Sequence, residues 1–519
     1  MTYEQGGSGR AGLGIITRIG DTLTLKDRIA HHHTTGLSTV EVASKNVEKL
    51  NDEFKKFYRN KSFKYKSYVL NGDHDKIQAL VELLDQHEIK YGSGNGTSIK
   101  GYNYTSGRAG NGRASQSSLV VSTNQTKGTL VKVLFEPDAK LSDSLTYDIT
   151  AWSLPYAYGL QTIASESLVS SSAYSPPASS TDGLSESSYA FLTDWNSFND
   201  AKFLAALMRE KVKVRYSEKP FTLDGKNYGR GTLIITKVDN KSHPDLLNTL
   251  RQAASKYRKT LTSASTGFVE NGKDFGSSSV EMIPDVKVAV LSGDPTSTLR
   301  FGEIWHFFER QLEYPVSVLD ASYIKRVDLS KYDILILPEG YGYGGFVDET
   351  MLKQLKDWVV AGGKLIAMGR AIKSIDGEKG FGIKERKAEE DSTETTVDPF
   401  ENSARERIQS AITGAIFKTK VDPTNPLAYG YGDTYFTLKL GSDSFDYLEN
   451  GTAVYIEDES KPVSGFAGSK AQKKMPKTLV FGTEYYGRGQ VVYMVDNPLF
   501  RGFWENGKLF FANALFMVD

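Results

Sequence analysis

Cysteine is absent from all 519 residues. That excludes disulfides, thiolate metal sites and cysteine nucleophiles together, and leaves the redox compartment open. Charge of one sign is missing as well: 63 Lys+Arg balance 63 Asp+Glu, so no net field favours nucleic acid or an anionic membrane. No basic stripe with interleaved aromatics takes its place, and nucleic acid is not an expected partner. The longest apolar run, LFFANALFMV near the C-terminus, is too short for a bilayer, which takes about 20 residues; no membrane span is expected. No basic segment leading into an apolar run opens the chain, so no signal peptide is visible. Histidine is scarce, and His306 is the last of seven.

What is present divides into three segments, as the length predicts. Residues 1–59 begin with MTYEQGGSGRAGLG, a glutamate among small residues, like an active-site strand running into a loop. Helical sequence follows, with Val40, Ala43, Val47, Leu50, Phe54 and Phe57 at spacings of three and four on one face. Such a segment reads as the tail of a domain, and its apolar face is expected to pack within the chain or drive self-association.

Residues 60–280 contain a repeat. SYVLNGDHDKIQALVELLDQ and SYAFLTDWNSFNDAKFLAAL each read as a buried strand followed by an amphipathic helix. GYNYTSG before SSLVVST matches GKNYGRG before GTLIITK, and a helix follows in both copies. Two α/β halves are expected, near 67–136 and 188–255. A Ser/Pro-rich stretch between them reads as a linker. In residues 281–519, short Val/Ile/Leu runs alternate with amphipathic helices (VKVAVLSGD, VSVLDA, YDILILPEG, KLIAMG), which implies a flavodoxin-like parallel sheet covered on both faces. The charged stretch GIKERKAEEDSTETTVDPFENSARER reads as a solvated insertion.

Several constellations invite chemistry. His31, His32 and His33 are consecutive and point about 100° apart on a helix, so they cannot converge on one ion. His306 and Glu309 have the His-x-x-Glu spacing of a zinc ligand pair, but no later histidine supplies a third ligand, and an i, i+3 pair on a surface face is the favoured reading. LPEGYGYGG (Leu337 to Gly345) follows a buried strand at the end where open α/β sheets bind ligands. Glu339 in that loop is a candidate acid or base without an evident partner, and the glycines alone specify a turn. The glycines near Gly430 and Gly487 are weaker still.

MTYEQGG and the helix after it resemble the last strand and terminal helix of zinc metallocarboxypeptidases of the carboxypeptidase A/B type. LTYDITAWSLPYAYGL, KNYGRGTLIIT and DNPLFRGFW resemble the C-terminal half of large bacterial members. The resemblance implies that Glu4 matches the general base acting on zinc-bound water. It also implies peptide as the parent's substrate and a periplasmic or extracellular location. The family's zinc ligands and substrate-carboxylate residues lie before the glutamate strand, so residues 1–59 would be the C-terminal remnant of that domain. No zinc is then expected in this chain, nor peptide hydrolysis by it alone. Residues 281–519 resemble class I glutamine amidotransferase-like domains, whose active members place a cysteine after the strand that reads KLIAMGRAI here. Met368 and Gly369 occupy that neighbourhood, so amidotransferase chemistry is excluded.

The expected fold is α/β throughout: a carboxypeptidase remnant, a duplicated α/β region and an amidotransferase-like parallel sheet. The expected function is the accessory part of a zinc carboxypeptidase-like protein. The alternatives are a non-catalytic ligand- or protein-binding module, and a hydrolase built on Glu339.

Overall fold

The computed structural model describes residues 3, 12–17, 20–59, 62–141, 143–146, 148–175, 184–377, 381–386, 399–459 and 461–519. It forms two compact units, one of Met1–Ser62 with Thr123–Leu130 and one of Phe63–Ser122 with Val131–Asp519. No described helix is long and apolar enough to cross a membrane.

In the first unit, strands β1 (Gly14–Ile16) and β2 (Thr22–Thr24) form an antiparallel hairpin. A capping box then starts the helix Leu25–Lys45: Thr24 accepts from the Asp27 N–H, and Asp27 accepts from the Thr24 N–H. Asn46 leaves helical geometry and separates this helix from Val47–Tyr58. Neither helix buries a residue, and Val40, Val47, Leu50, Phe54 and Phe57 are each at least 50% exposed.

The second unit opens with β3 (Ser67–Asn71), β4 (Tyr91–Gly94), β5 (Thr97–Asn103), β6 (Arg108–Ala114), β7 (Leu119–Ser122), β8 (Gln161–Ser165) and β9 (Ser171–Ser172). They form one antiparallel sheet, β6-β5-β8-β3-β7-β4-β9. Next come β10 (Ala190–Thr193), β11 (Arg215–Ser217), β12 (Phe221–Leu223), β13 (Lys226–Tyr228), β14 (Leu233–Thr236), β15 (Thr262–Ala264) and β16 (Val280–Met282). Their sheet runs β15-β10-β14-β11-β16, again antiparallel.

The two sheets share one strand order, with β8-β3-β7-β4-β9 matching β15-β10-β14-β11-β16 position for position. Helices His74–Gln86 and Phe198–Arg209 follow each first strand, and Gly128–Phe135 and Leu246–Tyr257 follow each third. Each copy is therefore a pair of split β-α-β units, the ferredoxin-like arrangement.

The copies differ in their hairpins. The β5–β6 hairpin continues the first sheet through β8, whereas β12–β13 stands apart and buries Phe221, Leu223 and Tyr228 against Ala190, Leu192 and Ile234. Glycine permits the first docking: a Cβ on Gly101 would lie 2.0 Å from the Ala164 carbonyl oxygen of β8.

The remaining strands are β17 (Val288–Ser292), β18 (Val316–Asp320), β19 (Ile334–Leu337), β20 (Lys364–Met368), β21 (Ile412–Val421), β22 (Thr434–Lys439), β23 (Thr452–Ile456), β24 (Ser464–Ala467), β25 (Thr478–Tyr486) and β26 (Gly489–Met494). Five of them are parallel in the order β18-β17-β19-β20-β26, which is the flavodoxin-like winding. β19 and β20 are buried along their whole length, as a sheet covered on both faces requires. Met351, Leu355, Trp358 and Val359 of the helix Glu349–Val360 cover one face. Beyond β26 the same sheet continues antiparallel through β25, β23, β21 and β22, with β24 also on β21.

Candidate functional site

In this doubly wound sheet the connection after β17 runs toward one edge, to β18, and the connection after β19 runs toward the other, to β20. The C-terminal ends of β17 and β19 therefore bound a crevice that no crossover fills. The helix Thr298–His306 starts beside this switch point, and the loop carrying Glu339 follows β19. Backbone bonds from Ser297 N to Glu339 O (3.0 Å) and from Tyr341 N to Pro295 O (3.0 Å) tie the two segments together.

A cleft of about 1030 Å³ opens there, with Arg300, Glu303, His306, Glu339, Tyr341 and Arg501 among its walls. Arg300 is the centre of its charge network. Its Nη1 donates to both oxygens of Glu303 (3.1 and 3.3 Å), and its Nε lies 2.9 Å from Glu339 Oε2. Glu303 also accepts from the Asn497 amide and, at 2.8 Å, from the Arg501 backbone N–H. That bond holds Arg501 in left-handed geometry, at φ 48°. The Arg501 guanidinium lies 5.1 Å from the Phe500 ring centroid and forms no ion pair with a described residue.

Gly369, directly after β20, has φ +52°, and a Cβ there would fall 2.8 Å from Glu339 Cγ. Any side chain at this position would displace the glutamate. Behind the loop after β26, Asp496 is buried against Lys439 Nζ (2.9 Å) and the Thr437 hydroxyl (2.7 Å), which fixes the approach of Asn497.

Chemically, Glu303 and Glu339 are bound to a shared cation, and no described cysteine, serine–histidine or histidine–carboxylate pair stands beside them. The cleft can hold polar atoms, with Ser297, Thr298 and His306 also in its lining. Among the described residues, no three His, Cys, Asp or Glu side chains gather as a metal group would require. His306 lines the cleft; Glu309 is exposed on the wide turn Phe307–Leu312 that follows its helix. His31, His32 and His33 are all exposed on the helix Leu25–Lys45 of the first unit. Glu4 lies outside the described residues.

No family model matches the chain, and no curated protein does. Solved structures match part of it at low scores. A glutamine amidotransferase from Thermotoga maritima is 11% identical with a TM-score of 0.27, over 42% of this chain and 77% of that one. A GMP synthase protein from Thermoplasma acidophilum is 12% identical with a TM-score of 0.28, over 44% and 92%. A β-galactosidase from Bacillus circulans sp. alkalophilus is 14% identical with a TM-score of 0.26, over 44% of this chain. The matched part spans 30% of that β-galactosidase. The assignment of the sheet rests on its own strand order.

Arg300, Glu303, Asn497 and Arg501 do not stand out in the sequence. A signal exists for one contact: Arg300 and Glu303 have the i, i+3 spacing of a helical ion pair.

Proposed function

We propose that this chain is a non-catalytic ligand- or protein-binding module, with the strand-end cleft of its parallel sheet as a binding site. One observation carries the reading. At the switch point, where doubly wound sheets hold ligands, Glu303 and Glu339 are both committed to Arg300, and Gly369 leaves no side chain after β20. A general base needs a free carboxylate within reach of a proton, and a nucleophile needs a side chain. Glu303 and Glu339 each have Arg300 as partner, and no side chain stands directly after β20. The test is to assay the full chain for peptide, ester, amide and glycoside hydrolysis, beside Glu339→Gln. No turnover is expected, and turnover abolished by Glu339→Gln would overturn the reading.

A second reading is favoured by MTYEQGG and the phrases resembling large bacterial zinc carboxypeptidases. In it Glu4 is the general base of a peptidase, and the two sheet regions are accessory to it. Stoichiometric zinc, with release of a C-terminal residue that is lost in Glu4→Gln, would support this reading over the first. No zinc and an unchanged Glu4→Gln protein would count against it.

A further inference from the structure

The charged groups lining the cleft are balanced: Arg300 and Arg501 against Glu303 and Glu339. A site built for an anion or a cation carries a surplus of the opposite charge, and this one has none. It has instead donors and acceptors close together. Arg300 is the only charged partner of Glu339 among the described residues, and the Arg501 guanidinium remains free to donate. His306 adds a ring that can donate or accept.

The second element is aromatic. Tyr341 lines the cleft with 70% of its surface exposed, although its loop is fixed by the bond to Pro295 O. Arg370 lies 4.7 Å from the centroid of its ring and supports it. An exposed ring on a fixed backbone is a platform for a ligand with an apolar face, and mixed donors and acceptors suit a ligand with hydroxyls. The cleft's 1030 Å³ lies just above the ~300–1,000 Å³ of small-molecule sites.

We propose that the strand-end cleft binds a neutral polyhydroxylated ligand, a short oligosaccharide, stacked on Tyr341 and hydrogen-bonded by Glu339 and Arg501. This deepens the binding-module reading and rests on it.

The experiment is calorimetric titration of the full chain with maltotriose, cellotriose and chitotriose, and with citrate and phosphate as an anion arm. Wild type should bind at least one of the three saccharides, with affinity unchanged between about 50 and about 500 mM salt, since no net charge is neutralised. Tyr341→Ala should weaken it at least tenfold. Arg501→Gln, which keeps the backbone bond to Glu303, should weaken it as well. No binding of any trisaccharide, or binding indifferent to Tyr341→Ala, overturns the proposal. Binding of citrate or phosphate alone, weakened by salt, also overturns it but leaves the module reading standing. Cleavage of a trisaccharide dependent on Glu339 would instead overturn the non-catalytic reading.

Discussion

Lys259 joins the two ferredoxin-like copies through a buried ion cluster, and its removal should be felt across the second unit. Its ammonium lies 2.8 Å from Asp75 Oδ2, at the start of a first-copy helix, and 2.6 Å from Asp200 Oδ1 in a second-copy helix. The three side chains are 14%, 8% and 1% exposed respectively. In Lys259→Met both carboxylates lose their cation in a poorly solvated place. Removing one partner of a buried pair costs about 3–5 kcal/mol. Asp200 keeps the Asn196 and Ser197 N–H groups at 2.9 Å each, and Asp75 keeps the Ser197 hydroxyl at 2.7 Å. These residual donors argue for the lower end, about 3 kcal/mol, or roughly two orders of magnitude in the unfolding equilibrium.

Urea denaturation followed by tryptophan fluorescence reads this, because Trp195, directly before Asn196, is buried and bonded to Asn513 at 2.7 Å. Burial pushes the Asp200 carboxyl up, against the pull of Lys259 and the Asn196 N–H. A raised carboxyl binds its proton more tightly folded than unfolded, so its contribution favours folding at low pH and fades as pH rises through the raised value. Without Lys259 the rise is larger, so the deficit of Lys259→Met should shrink from pH 7 to pH 5. Adding Asp75→Asn and Asp200→Asn to Lys259→Met should recover most of the loss. A single-variant cost below about 1 kcal/mol, or a triple variant no better than the single, would refute the account.

Other substitutions follow from the same contacts. Asp239 is held below the usual carboxylate range by its bond to Arg215, with contacts of 2.7 and 3.1 Å. Asp239→Asn should therefore cost about 1.5–3 kcal/mol at pH 7. That difference is present above the ordinary carboxylate pKa and lost as pH falls through the lowered one, so matched denaturation curves at pH 7 and pH 3 check the sign. Gly369→Ala should cost about 2–3 kcal/mol, from strained left-handed backbone and displacement of Glu339; Gly369→Asn, which tolerates that backbone better, tests how much of the loss is steric. In the first unit, the exposed Leu50, Phe54 and Phe57 predict concentration-dependent association, which Phe54→Glu should reduce in light scattering.

The parallel strands were legible because burial on both faces forces uninterrupted apolar runs, and VAVLS, ILIL and KLIAM stand out on that ground. The α/β class followed from their alternation with amphipathic helices. The opening strands and helices of the ferredoxin-like copies were legible for a related reason, since SYVLN and AFLT are also buried almost from end to end. Sheet membership was not. Nothing local in β21 to β25 says that they extend the sheet begun at β17, because antiparallel strands acquire partners only through tertiary register. The differing hairpins were hidden in the same way. The like phrases GYNYTSG and GKNYGRG fall on β5 and on β13, which are not equivalent strands, and the first hairpin docks where Gly101 approaches the Ala164 carbonyl.

The cleft shows where sequence reasoning stops. Glu339 was accessible because it directly follows an apolar strand, and the C-terminal ends of parallel strands share one edge of the sheet. The same rule extended to β20 and β26 would have grouped Glu339 with Gly369 and Asn497. It would not have reached Arg300 and Glu303, which sit inside a helix where a charged pair ordinarily marks a solvated face. Nor would it have shown that Arg501, in a phrase rich in aromatics, turns its backbone N–H to Glu303. Those contacts are what the proposed reading rests on. Glu339 alone invites a role as an acid or base; with Arg300 as partner and Gly369 behind it, the reading proposed above makes it an acceptor. A carboxylate is thus read as catalytic or as binding by what its partner leaves free, and the partner is a property of the fold.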